Sequence, residues 1–142
     1  MSTDQTYTLS PNYKPTVKEK FMNNKQQAYF LLKLNKWRVE LLEEANETRL
    51  NLKQNNTSEA DSADRASSET DRSLELRTRD RARKLVSKID LAIGRIEDGV
   101  YGYCEETGEP IGLSRLEARP IATLSVEAQE RHEKMEKTYR DE

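Results

Sequence analysis

The chain has 142 residues, of which 34% are hydrophobic and 35% are charged, and its mean hydropathy is -1.00. This length allows one domain or one domain with an appendage, and such polarity excludes a single compact fold with a deep core. The net charge of -2 argues against sequence-independent DNA binding, which needs a net basic face. No apolar run approaches the roughly 20 residues of a membrane span and the N-terminus has no signal-peptide pattern, so we expect a soluble cytoplasmic protein.

The first half of the chain predicts an N-terminal arm followed by a long helix. Residues 1–22 are polar and are expected to be loosely held. Asn23 then offers an N-cap with Gln26 three residues later, which is the spacing of a capping box. From there to about Asn55 no residue breaks a helix. Its apolar stripe, at steps of three and four residues, consists of Phe30, Leu34, Trp37, Leu41, Ala45, Thr48 and Leu52.

A second helix carries a stripe with the same steps, formed by Leu74, Thr78, Arg81, Leu85, Ile89, Ala92 and Ile96. Two stripes of equal period joined by a polar bend predict an antiparallel helical hairpin, a coiled coil over residues 23–98 with its tip at 56–66. Each stripe follows an eleven-residue repeat, so we expect a straight or faintly right-handed pair of helices.

Charge is divided along the second helix. Six acids and two bases occupy residues 59–75, whereas seven bases and two acids occupy residues 77–95. The sequence therefore predicts an acidic tip on a basic shaft. Asp61 and Asp64 lie where this helix starts. A carboxylate there commonly caps the helix, but two of them also form an exposed anionic point that can approach a metal or a cationic loop, and the two roles are compatible.

The last third of the chain, residues 99–142, is predicted to form a small globular region. Four glycines between short apolar pieces favour a tight knuckle or hairpin. Residues 113–118 are predicted to add one helical turn. A last helix, capped by Ser125, is expected to run to about Tyr139 with a solvated His132 on its polar side.

The knuckle has the spacing of a four-ligand zinc ribbon from which most ligands are absent. Cys104 and Thr107 are separated by two residues, and after seventeen intervening residues Ser125 and Ala128 repeat this gap. Structural zinc needs four Cys or His ligands, and Ala128 has no donor atom, so no metal is expected at this frame.

Cys104 is the one cysteine of the chain, which excludes an internal disulfide. It is either a small buried hydrophobe or a reactive thiol. Because Glu105, Glu106 and Glu109 are close in sequence, we expect formation of the thiolate to be disfavoured, which favours the inert interpretation.

Four segments together resemble the DksA/TraR family of bacterial RNA polymerase-binding transcription factors. They are DSADRA, SLELRTRDRARKL, YGYCEETGEPIG and RLEARP, which begin at Asp61, Ser73, Tyr101 and Arg115. The resemblance covers about residues 11–140 and departs from the family in the cysteine set, so the chain resembles a member that lacks the zinc-finger cysteines. The implied fold agrees with the residue pattern: mainly α, with a long antiparallel helical hairpin, a small degenerate zinc-ribbon-like knuckle and a C-terminal helix.

The resemblance implies a transcription regulator that is not an enzyme. It would bind RNA polymerase as a monomer, with no direct DNA or membrane contact, and modulate initiation at stringent-response promoters such as those of ribosomal RNA. Its coiled coil would enter the secondary channel and place the tip near the active site. The family positions needed for regulation fall on Asp61, Asp64 and Ala66, and Arg81 on the shaft is assigned to polymerase contact.

The resemblance also implies that the alarmone ppGpp binds between the factor and polymerase, at positions that fall on Leu85, Lys88 and Arg119. A further family lysine falls on Gln129. Loss of a phosphate-contacting lysine removes an interaction of about 1.5–3 kcal/mol, which predicts weaker ppGpp coupling. The residues alone leave a second role for Arg119, an ion pair with Glu117 or a brace for the knuckle.

Two other functions compete with this one. A GreA-like transcript-cleavage factor would use tip carboxylates to hold the second Mg²⁺ of the polymerase active site, but its C-terminal part would be a separate, mostly β domain. A structural coiled-coil adaptor would have no polymerase contact and would tolerate charge reversal at Asp61 and Asp64.

Overall fold

The fold is mainly α, as the sequence predicts. The computed structural model describes the backbone of residues 9–55 and 62–140, and the side chains within these ranges except those of 48–49, 51–55, 62–68 and 140. The described residues form helices α1 (Asn24–Asn55), α2 (Ser62–Asp98), α3 (Leu113–Ala118) and α4 (Val126–Arg140). Among them, no helix has the length and apolarity needed to cross a bilayer.

The chain divides into two compact units. The hairpin unit comprises residues 35–90, and the base unit comprises residues 1–34 and 91–142. Helices α1 and α2 each contribute to both units. The base unit also contains α3, α4 and the knuckle between α2 and α3.

The start of α1 is fixed by a modified capping box. Asn23 Oδ1 accepts a hydrogen bond from the backbone N–H of Gln26 at 2.9 Å, as the sequence predicts for an N-cap. Gln26 Oε1 accepts from the N–H of Met22 at 2.7 Å, one residue before the position that a capping box normally uses. The Gln26 side chain is fully buried, so these bonds also fix the chain that precedes the helix.

Residues 9–23 make specific contacts within the base unit, so the prediction of a loosely held arm is wrong for this stretch. The Tyr13 hydroxyl donates to Glu19 at 2.8 Å, and the Phe21 ring meets the Tyr103 ring edge-on with centroids 5.5 Å apart. The polar composition of the arm concealed these contacts, because a few apolar side chains and hydrogen bonds hold it; the Tyr13 ring also meets the Tyr29 ring edge-on, with centroids 6.1 Å apart. Residues 1–8 lie outside the described part of the chain.

The knuckle is a tight reversal of the chain, as predicted. Tyr103 forms an isolated antiparallel bridge with Pro110, and the N–H of Cys104 donates to the carbonyl of Glu109 at 2.8 Å. Gly102 has a φ of 90°, and a Cβ at this position would lie 2.9 Å from Met22 Cγ. A glycine is therefore required where the arm crosses the knuckle.

The two short helices that follow match their predictions. Helix α3 has the predicted bounds, Leu113–Ala118. Helix α4 begins at Val126 after Ser125, whose Oγ accepts the N–H of Ala128 at 3.3 Å, as expected of an N-cap. His132 is half exposed, and its Nε2 lies 3.0 Å from Glu106 Oε2.

In the hairpin unit, α1 and α2 form an antiparallel pair. Arg38 Nε donates to Asp90 Oδ1 at 2.7 Å, and Leu41 and Ile89 are buried. Three positions of the seam predicted for α2 are exposed, namely Leu74, Thr78 and Arg81. At the last of them the structure corrects the seam by one residue, because Ala82 is 6% exposed.

The corrected position changes the repeat that the sequence predicts for α2. A charged Arg prefers water, and the small Ala allows close approach of the facing helix. The buried positions Ala82, Ile89 and Ile96 are separated by seven residues, which is the coiled-coil repeat rather than the predicted eleven-residue repeat.

The base unit has an aromatic core around Phe30. Phe30 is fully buried between rings, with centroids 5.2 Å from Tyr29 and 5.7 Å from Tyr101. Leu116 of α3 is also fully buried. Side-chain packing of this kind contributes about 1.5–3 kcal/mol per buried large residue.

Candidate functional site

The predicted tip residues lie largely outside the described part of the chain. Asp61 is outside it, and Asp64 and Ala66 belong to α2 with side chains that are not described. Helix α2 begins at Ser62, so Asp64 lies in its first turn, where a carboxylate interacts favourably with the helix dipole. The assignment of these residues to regulation stays a prediction.

An exposed row of cations follows one side of α2. We call Arg77, Arg81, Lys84 and Lys88 the basic face; their steps of four, three and four residues align them along about 16 Å of a helix with 3.6 residues per turn. None of them forms an ion pair or hydrogen bond with another described residue. The sequence analysis selected Arg81 and Lys88 but missed Arg77 and Lys84, which the same spacing would have identified.

The residues assigned to ppGpp are distributed over both units. Leu85 is half-buried and Lys88 exposed on α2 in the hairpin unit, whereas Arg119 is exposed in the base unit. Gln129, at the family's lysine position, donates to Glu133 of its own helix at 3.3 Å.

Arg119 does not pair with Glu117, so that part of the alternative role suggested by the residues is wrong. Glu117 Oε2 lies 2.6 Å from Lys33 Nζ. Arg119 forms no ion pair or side-chain hydrogen bond with another described residue. Its guanidinium is therefore available to a ligand.

The four positions of the zinc frame converge, but each residue has a different structural role. The Thr107 side chain and the backbone of Ser125 form hydrogen bonds with the sulfur of Cys104. The Ser125 hydroxyl caps α4, and the Ala128 methyl group is fully buried. One thiol, two hydroxyls and a methyl group do not fit a structural zinc ion, which requires four Cys or His ligands.

The structure reverses the expected ionisation of Cys104. Burial raises the pKa of this thiol, but hydrogen bonds from the Thr107 side chain and from the backbone of Ser125, Thr107 and Glu106 outweigh burial and lower the pKa to about 6. The nearby glutamates led to the opposite expectation, because the sequence does not reveal which backbone groups point at the sulfur. The side chain is only 3% exposed, which restricts its access to reagents.

We expect Thr107→Val to raise the pKa of Cys104 from about 6 towards the ordinary thiol value. A pH titration of the ultraviolet thiolate absorbance measures this shift. In the wild type the folded pKa lies below that of the unfolded thiol, about 8.5. The Cys104 thiolate then stabilises the folded state fully above about pH 8.5, and this stabilisation is lost as the pH falls through about 6.

The difference in unfolding free energy between wild type and Thr107→Val should therefore widen as the pH rises across this window. Glu109→Gln, which changes a nearby carboxylate that is exposed, serves as the control. An unchanged thiol pKa in Thr107→Val would contradict the assigned cause.

Comparisons with known families match nearly all of the described chain. The profile of the DnaK suppressor protein DksA, N-terminal domain, matches residues 26–96, and that of the prokaryotic dksA/traR C4-type zinc finger matches residues 99–134. The zinc-finger match thus includes the frame at Cys104 although the chain has no other cysteine.

Individual relatives agree with these profiles. The RNA polymerase-binding transcription factor DksA of Caulobacter vibrioides (strain NA1000 / CB15N) is 60% identical over 142 residues, which is 100% of both chains. The protein of the same name from Escherichia coli (strain K12) is 43% identical over 77% of this chain and 72% of that relative.

A solved structure is also similar. The transcription factor DksA2 from Pseudomonas aeruginosa matches with a TM-score of 0.77 and 44% identity, over 82% of this chain and 90% of that chain. The two family profiles and the 60% identity over the whole of both chains show that the chain belongs to the DksA family.

Proposed function

We propose that the chain is a non-enzymatic regulator of transcription that binds RNA polymerase and modulates initiation at stringent-response promoters such as those of ribosomal RNA. The observation that carries this proposal is the 60% identity with the RNA polymerase-binding factor of Caulobacter vibrioides over the whole of both chains. An identity that extends over both the hairpin and the knuckle favours a shared partner rather than a shared fold alone.

The charges of α2 support a polymerase contact. The exposed, unpaired basic face is suited to an acidic protein surface, whereas residues 59–75 carry a net negative charge. Opposite charges along one helix give it a defined direction when it docks, because complementarity sets orientation more than affinity. We place the hairpin in the secondary channel, with the basic face on the channel wall and the tip towards the active site.

The ligand of the complex is ppGpp, assigned to Leu85, Lys88 and Arg119, of which the exposed cations Lys88 and Arg119 would each contact its phosphates. Arg offers a planar fork of donors suited to phosphate oxygens. Gln129 lacks the charge of the family lysine, so coupling to ppGpp is weaker than in relatives that have it. The protein acts as a monomer, without zinc and without direct DNA contact.

Asp64→Asn tests the tip. Asn cannot present a full negative charge to a metal or a cationic loop, so regulation of a ribosomal RNA promoter should be lost while competition for polymerase persists. Asp64 lies in the first turn of α2, so the variant loses at most about 0.3–1 kcal/mol of dipole stabilisation. Initiation assays, a polymerase competition assay and circular dichroism melting on one preparation measure the three properties.

Asp71→Asn is the matched control, because Asp71 is an exposed acid further along α2. Normal regulation by Asp64→Asn, or loss of regulation in both variants, would contradict the tip assignment. Failure of the wild type to compete for polymerase would contradict the proposed function itself. Short 3′-end RNA fragments from a backtracked elongation complex would instead support the transcript-cleavage alternative.

A further inference from the structure

Arg119 is an exposed cation on a fixed stretch of backbone. It follows α3 in the base unit, and its side chain is exposed. Its N–H donates to the carbonyl of Arg115 at 2.8 Å, and its own carbonyl accepts from the N–H of Ala122 at 3.0 Å. The backbone that carries the guanidinium is thus held from both sides, although the side chain itself reaches solvent.

Two side chains from other elements clamp this turn. Lys33 of α1 donates to the carbonyl of Glu117 at 3.0 Å and to its carboxylate at 2.6 Å. On the other side of Arg119, the buried Tyr101 donates its hydroxyl to the carbonyl of Pro120 at 2.8 Å. The turn is therefore fixed two residues before Arg119 and one residue after it.

Lys33 also neutralises the acid nearest to Arg119 in sequence. Burial raises the pKa of Glu117, but hydrogen bonds from Lys33 and Tyr29 outweigh burial and lower it, so the carboxylate stays ionised. Lys33 and Glu117 are both about two-thirds buried at their side chains. Without Lys33, an ionised carboxylate would remain two residues from Arg119 and would compete for its guanidinium.

We infer that Lys33 is a positioning residue for Arg119: it clamps the turn at Glu117 and occupies that carboxylate, which leaves the Arg119 guanidinium presented to a phosphate-bearing ligand. The inference deepens the proposed function and rests on it, because ppGpp is the phosphate-bearing ligand proposed there. It assigns to α1 a role in ligand recognition that does not involve contact with the ligand.

The first test concerns the turn alone. Lys33→Met keeps most of the aliphatic stem and removes the charge. We expect the amides of Arg119 and Ala122 to exchange with solvent about tenfold faster in this variant, as loss of a hydrogen bond to a charged group permits. Lys25→Met, which removes an exposed lysine from the same helix, should leave both amides unchanged. Equal exchange in Lys33→Met and wild type would overturn the inference.

The second test is a double-mutant cycle with ppGpp as the probe. Lys33→Met should raise the ppGpp concentration that gives half of the initiation response by about twofold or more, the lower end of couplings within one network. In an Arg119→Ala background the same substitution should have no further effect. Lys33→Arg, which retains a donor cation, should restore the response.

These outcomes separate the inference from the proposed function. If Lys33→Met has an equally large effect with and without Arg119, Lys33 has a general structural role and the inference is overturned. The proposed function would still stand in that case, provided that the wild type regulates transcription. A wild type that competes for polymerase but does not respond to ppGpp would overturn the inference together with the ppGpp assignment. A wild type that does not bind polymerase would overturn the proposed function.

Discussion

The variant that combines Thr107→Cys, Ser125→Cys and Ala128→Cys is expected to bind one zinc ion per chain, whereas the wild type is expected to contain no stoichiometric zinc. Cys104 already contacts Thr107 and the backbone of Ser125, so three new thiols would be added around an existing one. Zinc contributes about 10–16 kcal/mol of apparent folding free energy in zinc-finger peptides. Elemental analysis and melting with and without a chelator measure the effect.

Ser125→Cys alone is the control for this variant. It disturbs the N-cap of α4, which costs about 1 kcal/mol, and should bind no zinc. The triple variant loses the same N-cap stabilisation, but only in the triple variant should a chelator lower the melting temperature sharply. Zinc in the wild type would show that donors outside the frame bind it. A triple variant without zinc would show that the four positions no longer have the geometry of a zinc site.

Phe30→Ala is expected to destabilise the protein by about 3–5 kcal/mol. Phe30 is fully buried and contacts the rings of Tyr29 and Tyr101, so truncation leaves a cavity and removes two ring contacts. This loss is a large fraction of the roughly 5–15 kcal/mol that stabilises a typical domain. Urea denaturation followed by circular dichroism gives the change in unfolding free energy.

Leu32→Ala is the matched control for Phe30→Ala. Leu32 lies two residues away on α1 and is 64% exposed, so its truncation should change the unfolding free energy by less than about 0.5 kcal/mol. If Phe30→Ala lowers the unfolding free energy by less than about 1 kcal/mol, the packing of Phe30 against the rings of Tyr29 and Tyr101 is not a main source of stability.

Local signals in the sequence predicted most of the fold. Asn23 and Ser125 were identified as N-caps from residue type and spacing alone, and both accept the expected backbone hydrogen bonds. The bounds of α3 and the tight reversal at the knuckle also followed from local composition. These features depend on the geometry of a few neighbouring residues, so the sequence specifies them directly.

The errors arose where distant residues decide the outcome. Arg81 was placed in the seam of α2 because steps of three and four residues are both helical, and only the facing helix selects Ala82 instead. Likewise, the packing of Phe21 against Tyr103 joins residues far apart in sequence.

The candidate site was predictable only in part for the same reason. Lys88 and Arg119 were assigned through the family resemblance, but the pairing of Lys33 with Glu117, and hence the free guanidinium of Arg119, depends on a contact between helices far apart in sequence. The low pKa of Cys104 depends on backbone donors from two separate loops. Neither arrangement can be recognised from the amino-acid sequence.

The division into two units has a spectroscopic consequence. Trp37 is the one tryptophan of the chain and lies in the hairpin unit, whereas the five tyrosines within the described residues lie in the base unit. Tryptophan emission therefore reports on the hairpin, and tyrosine emission reports on the base. The same unlabelled sample can show, from two wavelengths in one denaturation experiment, whether the two units unfold in a single transition or in succession.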